Sequence, residues 1–276
     1  MGIPFTTRND RILQSLETFV VTTRENQPAL NLEPFGLPTR WLIDPTRRAS
    51  GTFLDLLQRL DALTFGPEGM PMDKWVFYDC AELPGFIYGF ALESGRLSSA
   101  ERELFGCPPG YGGPVPFSMY IAIPMFEPGA WFGHNLASLN ATFPHRNLGG
   151  LGSITKSFAL KAFGVSSFFG ATQWLSKALY IHTKFGPLDI TTAYTPAHSI
   201  PETLTYGFEV TDTALRAACG DPSVQIARPT PDVHLNAQDV EAMKRIQADI
   251  EAGARYVMVG APSVQGGENV HRLTRR

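Results

Sequence analysis

The chain has 276 residues, 43% of them hydrophobic, which is enough for one large core or two small ones. Charged residues make up 18% and the formal net charge is -3, so neither nucleic acid nor an anionic membrane is an expected partner. Its three cysteines, Cys80, Cys107 and Cys219, form no C-x-x-C pair, which argues against a disulfide framework or a thiolate zinc site and for a reducing, cytoplasmic compartment.

The opening MGIPFTTRNDR carries charge and no apolar run, so no signal peptide is expected. Gly2 and Thr6 fit the N-myristoylation pattern, a weak signal. Residues 7–21 place Ile12, Leu13, Leu16, Phe19 and Val20 at helical spacing, which predicts a first helix capped by Asn9 or Asp10. A wrapping loop is expected over 22–50, with a short strand at Trp41-Leu42-Ile43. Ser50 opens a strongly amphipathic helix whose apolar face is Phe53, Leu54, Leu56, Leu57, Leu60 and Leu63. Strands are then predicted at 75–78, 86–92, 117–125 and 131–139, with a Gly/Pro-rich insert over 95–114 that turns helical near 98–105. A helix over 152–163, a strand over 167–173, a helix over 176–184 and strands over 188–194 and 203–210 follow. Asn236 with Asp239 reads as a variant capping box before a helix bearing Val240, Met243, Ile246 and Ile250. A last strand is expected at 256–259, and the terminal HRLTRR is expected to fray. No stretch reaches 18 apolar residues, so nothing in the sequence is expected to span a bilayer. The alternation of strands and helices predicts an α/β fold.

The most informative segment is Asn147-Leu148-Gly149-Gly150-Leu151-Gly152-Ser153, between a strand and a helix. Glycines there admit positive φ and close approach of a ligand, and the first helical turn offers free N–H groups backed by the helix dipole. Such a turn suits a pyrophosphate, although a plain strand-to-helix turn has the same composition. No GK[ST] follows it, and it does not match G-x-G-x-x-G with a later acidic residue.

This loop resembles the Q/R-x-x-G-x-G/A signature of the GNAT acetyltransferase superfamily, with Asn147 where that family prefers Gln or Arg. A second stretch, Leu175 to Pro187, is similar to the family's N-x-x-A-x-x-L-Y-x-K-x-G-F: Ala178, Ile181, Lys184 and Gly186 fall in register, and His182 replaces the family's Tyr. The resemblance covers roughly residues 53–194. It implies a mixed, mainly antiparallel central sheet flanked by helices, with an N-terminal extension (1–50), an acyltransferase core (51–210) and a C-terminal extension (211–276) packed on the core. It also implies acyl-CoA or acetyl-CoA as co-substrate, bound through Asn147, Gly149, Gly150, Leu151, Gly152 and Ser153, and an amine as acceptor. A pantetheine-loaded acyl carrier protein is the alternative donor, no metal is expected, and a homodimer is one assembly the reading allows.

Acyl transfer to an amine requires a held thioester, removal of a proton from the ammonium and a proton for the leaving thiolate. The resemblance puts the strand 131–139 beside the acyl group, splayed from the strand that follows. His134 on it is a candidate base, because imidazole titrates near neutral pH. His182 is the candidate acid beside the sulfur; a histidine near a helix C-terminus is also favoured by the dipole alone. Asn135, Glu127 and His198 are candidates for contacting the acceptor, against ordinary readings as a bulge residue and two turn residues. Two alternatives stand beside the acyltransferase: a non-catalytic acyl-CoA-binding protein of the same fold, and a metal-dependent hydrolase using His134, His182 and His198, whose spacing lacks H-E-x-x-H or H-x-H.

Overall fold

One mixed sheet organises residues 3–82 and 87–276, the residues described by the computed structural model. Gly2 of the myristoylation pattern and Phe86 at the start of the second expected strand lie outside the described residues. The strands are β1 (Glu17–Val21), β2 (Trp41–Ile43), β3 (Ile87–Glu93), β4 (Pro114–Pro124), β5 (Ala130–Ser138), β6 (Ser167–Gln173), β7 (Leu188–Thr192), β8 (Thr203–Glu209), β9 (Val233–Asn236), β10 (Tyr256–Met258), β11 (Ser263–Gln265) and β12 (Glu268–Arg275). Their order across the sheet is β11-β12-β10-β7-β8-β6-β5-β4-β3-β1-β2, with β9 also paired to β12. Only β1–β2 and β5–β6 are parallel among these pairs. The helices are α1 (Asp10–Ser15), α2 (Gly51–Phe65), α3 (Lys74–Glu82), α4 (Ser99–Phe105), α5 (Leu151–Ala162), α6 (Leu179–His182), α7 (Asp212–Cys219) and α8 (Val240–Glu251). The expected mixed, mainly antiparallel sheet flanked by helices is therefore what the chain forms, and strands from 1–50 and from 211–276 extend it at opposite edges.

The two faces of the sheet are covered by different helices. On one, α2 lies over β4 and β5, with Phe53 edge-on to Phe19 at 5.0 Å. The apolar face read from the sequence is the buried one: Phe53, Leu54, Leu56, Leu57 and Leu60. Each such side chain contributes about 1.5–3 kcal/mol when buried. On the other face, α5 packs against β3, β4 and β5 and is itself covered by α7, so nearly every residue of α5 is buried. Phe158 on α5 meets Phe90 on β3 at 5.4 Å. The short α4 is held by a complete capping box, Ser98 with Glu101, and ends on Gly106 in the left-handed region.

Several expected elements take another form. Residues 7–21 split into α1 and β1, because the chain turns extended at Leu16 and lays Thr18–Val21 into the sheet with all four buried. The run at 75–78 is helical: in α3 the buried residues Phe77, Cys80 and Ala81 recur at three and four positions, while Trp75 and Tyr78 are exposed. Asn236 closes β9, and the cap of α8 is Asp239, whose side chain accepts from Ala242 N at 2.8 Å. The helix expected over 176–184 is regular only through α6. The C-terminal HRLTRR does not fray; it belongs to β12, which pairs with β9, β10 and β11, and His271 is fully buried. Strand β9, helix α7 and strand β11 had no forecast. Among the described residues no helix is long and apolar enough to cross a membrane.

Candidate active site at the fork between two parallel strands

Strands β5 and β6 pair only over Ala130–Gly133 and Ser167–Gly170. Beyond that point β6 continues against β8, and residues 134–138 of β5 keep β4 alone, so the two strands part as a fork. The base of the fork is built by two glycines. A Cβ on Gly133 would lie 2.5 Å from Tyr120 Oη, and one on Gly170 would lie 2.7 Å from Tyr206 Oη, so the tyrosines lie where larger residues would project. Tyr120 Oη is buried and has no hydrogen-bond partner among the described residues. This is the splay that the resemblance implies between the strand before the Gly-rich loop and the strand after it.

On the α5 face, the loop Asn147–Ser153 leads into α5 beside the fork. Asn147 (φ 56°) and Gly150 (φ 93°) both take left-handed backbone, and Gly150 is the N-cap residue. A Cβ at Gly150 would meet Asn9 Oδ1 at 2.8 Å, so this glycine is required by the backbone and by Asn9. Gly149 faces open space, whereas a Cβ at Gly152 would press on Ile181 Cδ1 (3.0 Å) and Ser138 Oγ (3.3 Å). The Leu151 N–H returns to Leu148 O and the Ile154 N–H to Gly150 O. Among the described residues the N–H groups of Gly152 and Ser153 have no acceptor. Ser153 Oγ accepts from Lys184 Nζ at 3.0 Å, and partial burial lowers the pKa of that lysine. Lys184 thus sets a cation beside the N-terminus of α5, the end of the dipole that favours an anion. Arg146, next to the loop, is otherwise engaged: it forms a bidentate pair with Glu101 (2.5 and 2.6 Å), and this pairing is the main cause that holds the Glu101 carboxyl down at about 2.

His182, at the end of α6, reaches the same face. Its Nδ1 lies 2.8 Å from Lys156 Nζ, and the lysine side chain is completely buried. Lys156 Nζ sits 3.6 Å from the Phe168 ring centre and 4.9 and 5.0 Å from those of Phe185 and Phe208. Burial drives the Lys156 pKa well down; burial, and then the neighbouring Lys156 charge, drive that of His182 well down. His182 is therefore a neutral imidazole at physiological pH, not the imidazolium that a simple general acid would use.

On the α2 face, the register between β4 and β5 slips: Ile121 pairs with Asn135 and Ala122 with Gly133, which leaves His134 as an extra, bulged residue. Asn135 Nδ2 donates to Asp61 Oδ1 at 2.9 Å, and Met72 N donates to Asp61 Oδ2 at 2.5 Å. Asp61 has no exposed surface, and burial raises its pKa. Burial also lowers the pKa of His134, while the Asp61 charge opposes this. The His134 residue as a whole is exposed; that exposure decides access, and the crowding of its ring decides the direction of the shift.

The remaining candidates lie outside this cluster. Glu127 is in the β4–β5 turn, at the paired end of β5; four residues of strand, about 13 Å, separate Ala130 from His134. His198 lies in the β7–β8 turn at the open end, but its Nδ1 accepts from Ile200 N (3.0 Å) and so closes that turn. Among the described residues no group of three His, Cys, Asp or Glu side chains could hold a metal ion, and His182 Nδ1 is committed to Lys156. Asp61 and Lys156 were not foreseen. The signal for each was a charge on an otherwise apolar face: Asp61 follows Leu57 by four positions, and Lys156 stands between Ile154 and Phe158.

No family model matches the sequence, and no curated protein matches it. Among solved structures, the chain is similar to the ribosomal-protein-S18-alanine N-acetyltransferase from Escherichia coli, with 12% identity over 61% of this chain and 92% of that one and a TM-score of 0.37. It is also similar to an IAA acetyltransferase from Bacillus cereus ATCC 14579, with 14% identity over 55% of this chain and 90% of that one and a TM-score of 0.28.

Proposed function

We propose that this chain is an acyltransferase that moves an acyl group from a pantetheine thioester, on CoA or on a carrier protein, to the amine of a small molecule. The observation that carries the reading is the convergence at one fork of three things: the parting of β5 from β6, the uncommitted N–H groups of Gly152 and Ser153, and Lys184 at the same helix start. A diphosphate at Gly149–Ser153 would take the two N–H groups and the lysine as partners. The pantetheine arm would run from there into the fork, along the edge of β5 that β6 has left.

The two faces then divide the chemistry. His182 serves the sulfur on the α5 face, and the bulged His134, with Asp61 behind it, takes the proton of the amine on the α2 face. Asn135 is turned to Asp61 and orients that carboxylate. The test is calorimetry and melting with CoA, acetyl-CoA and a pantetheine-loaded carrier protein, followed by thiol release with a panel of amines. A ligand that binds the folded state alone raises the melting temperature by mass action. No heat and no shift with any donor would remove the reading. Binding without thiol release from any amine would favour the non-catalytic alternative, for which the missing family Tyr is the specific sign.

A further inference from the structure

The strangest group in the molecule is Lys156. Its side chain has no exposed surface, yet no carboxylate pairs with it among the described residues. The groups around the amino nitrogen are the rings of Phe168, Phe185, Phe208 and Tyr120, from β6, the segment after α6, β8 and β4, and among the described residues its one hydrogen-bond partner is His182 Nδ1. Tyr120, at 5.8 Å from the amino nitrogen, and Tyr206, 5.3 Å from the His182 ring, are further titratable groups beside the pair. An apolar residue in this place would pack as well without burying an amine, so the packing of the core does not explain the lysine.

The geometry of His182 supplies a use. The 2.8 Å contact suits Lys156 as donor to Nδ1, and the relay takes that direction, which puts the proton of the neutral ring on Nε2. Among the described residues Nε2 has no partner, and it is not one of the polar atoms shut off from solvent, while the residue retains 8% of its surface exposed. The free N–H of the ring therefore faces outward, and the amine stands behind it.

Resting on the acyltransferase reading, we propose that Lys156 supplies, through His182, the proton that the leaving thiolate takes up. In this step the S–C bond of the tetrahedral intermediate breaks and its electron pair stays on sulfur. The thiolate takes the Nε2 proton of His182, Nδ1 takes a proton from the Lys156 ammonium, and the products are thiol, the Nδ1–H tautomer of His182 and a neutral Lys156. Charge is conserved: one anion and one cation become two neutral groups. The step starts from the ammonium form of Lys156, which the ring faces favour, and burial without a counter-ion, which drives its pKa well down, makes that ammonium a ready proton donor. Lys156 acts here through His182 and does not touch the substrate.

The experiment combines nitrogen NMR of the histidine rings with thiol release, on the full chain and on Lys156→Met. In the parent, His182 should be a neutral Nε2–H ring from about pH 5 to about pH 8. In Lys156→Met that fixed tautomer should be lost. Thiol release from acetyl-CoA should fall at least about tenfold at unchanged CoA affinity, the lower part of the range for general acid help. Acetyl transfer from an aryl thioester, whose thiolate leaves without a proton, should change by less than about threefold. A structural lysine would slow both donors alike. An Nδ1–H ring in the parent, or equal losses with the two donors, overturns the relay. If CoA fails to bind the parent, the acyltransferase reading falls by itself, and the NMR result still decides the tautomer. Should Lys156→Met not fold, Lys156→Gln, which keeps a donor to Nδ1 but cannot give up a proton, is read in the same way; full thiol release in that variant also overturns the relay.

Discussion

His271 gives the chain a calculable weakness in acid. The ring is fully buried on β12; Nε2 donates to Trp174 O at 2.8 Å, and Nδ1 is buried with no partner among the described residues. A second proton would have to go onto Nδ1, where nothing accepts it, and burial accordingly pushes the pKa from 6.5 down to about 4. The sign follows from proton counts. Between those two values the unfolded chain binds a proton at this site and the native chain does not, so stability falls as pH falls through that window. A shift of about 2.5 units at about 1.36 kcal/mol each amounts to about 3 kcal/mol, absent near pH 7 and complete below about pH 4. For a chain of this size that corresponds to roughly 6–12 °C in melting temperature. The assay is urea unfolding of the parent and of His271→Phe from about pH 7 to about pH 3.5. Removal of the hydrogen bond gives the variant a constant offset, whereas the difference between the two curves should close or reverse by about 3 kcal/mol on acidification. Other groups, His182 among them, titrate in both proteins and cancel. Parallel curves would refute the argument and would mean that His271 is solvated in solution.

Three further outcomes are expected. Gly149→Glu, at a position open to solvent, should leave stability within about 0.5 kcal/mol but abolish measurable CoA binding by calorimetry, because it sets a carboxylate beside the anion site. Glu101→Gln should cost about 3 kcal/mol in urea unfolding by removing the charge that Arg146 pairs with, and CoA affinity should not change, since that arginine is engaged by the Glu101 of the α4 capping box and not by the donor site. Asp61→Asn removes the charge that opposes the lowering of the His134 pKa; if His134 is the base, the acidic limb of kcat/KM for thiol release should move to lower pH, and an unmoved limb would point to another base.

Much of the central core was legible because local signals there agree. The α2 stripe, the Ser98–Glu101 box, the glycine loop before α5 and the strands from 114 to 209 all came from spacing and turn chemistry. The misses have physical causes. Phe19, Val20 and Val21 are apolar in a row, and the partner strands β2 and β3 decide that they are extended. Phe77, Cys80 and Ala81 satisfy a helix period within a run of aromatic residues that also suits a strand. HRLTRR is polar enough to fray, but β9 and β10, from earlier in the chain, pair with it on both sides. At the site, His134, Asn135 and His182 were readable as residue types at register positions. Their companions were not: Asp61 is 74 positions from Asn135 and Lys156 is 26 from His182, separations that only the folded chain brings within hydrogen-bond reach.

Asn9 fills the place where a side chain at Gly150 would project, and this has a consequence for assembly. Asn9 Nδ2 and Thr7 Oγ1 both donate to Cys219 O, at sequence separations of 210 and 212, and Asn9 Oδ1 lies over the N-cap glycine of α5. The glycine loop is thus clamped by the beginning of the described chain and by the end of α7, two segments that meet late in synthesis. Closing a loop of that length costs entropy before the contact returns anything, which makes this junction one of the last parts of the chain to settle. A nascent chain released before residue 219 has emerged would hold the strands of the fork without the clamp over their anion loop. A bulky fusion ahead of Thr7 would recreate that unfinished state in the complete protein.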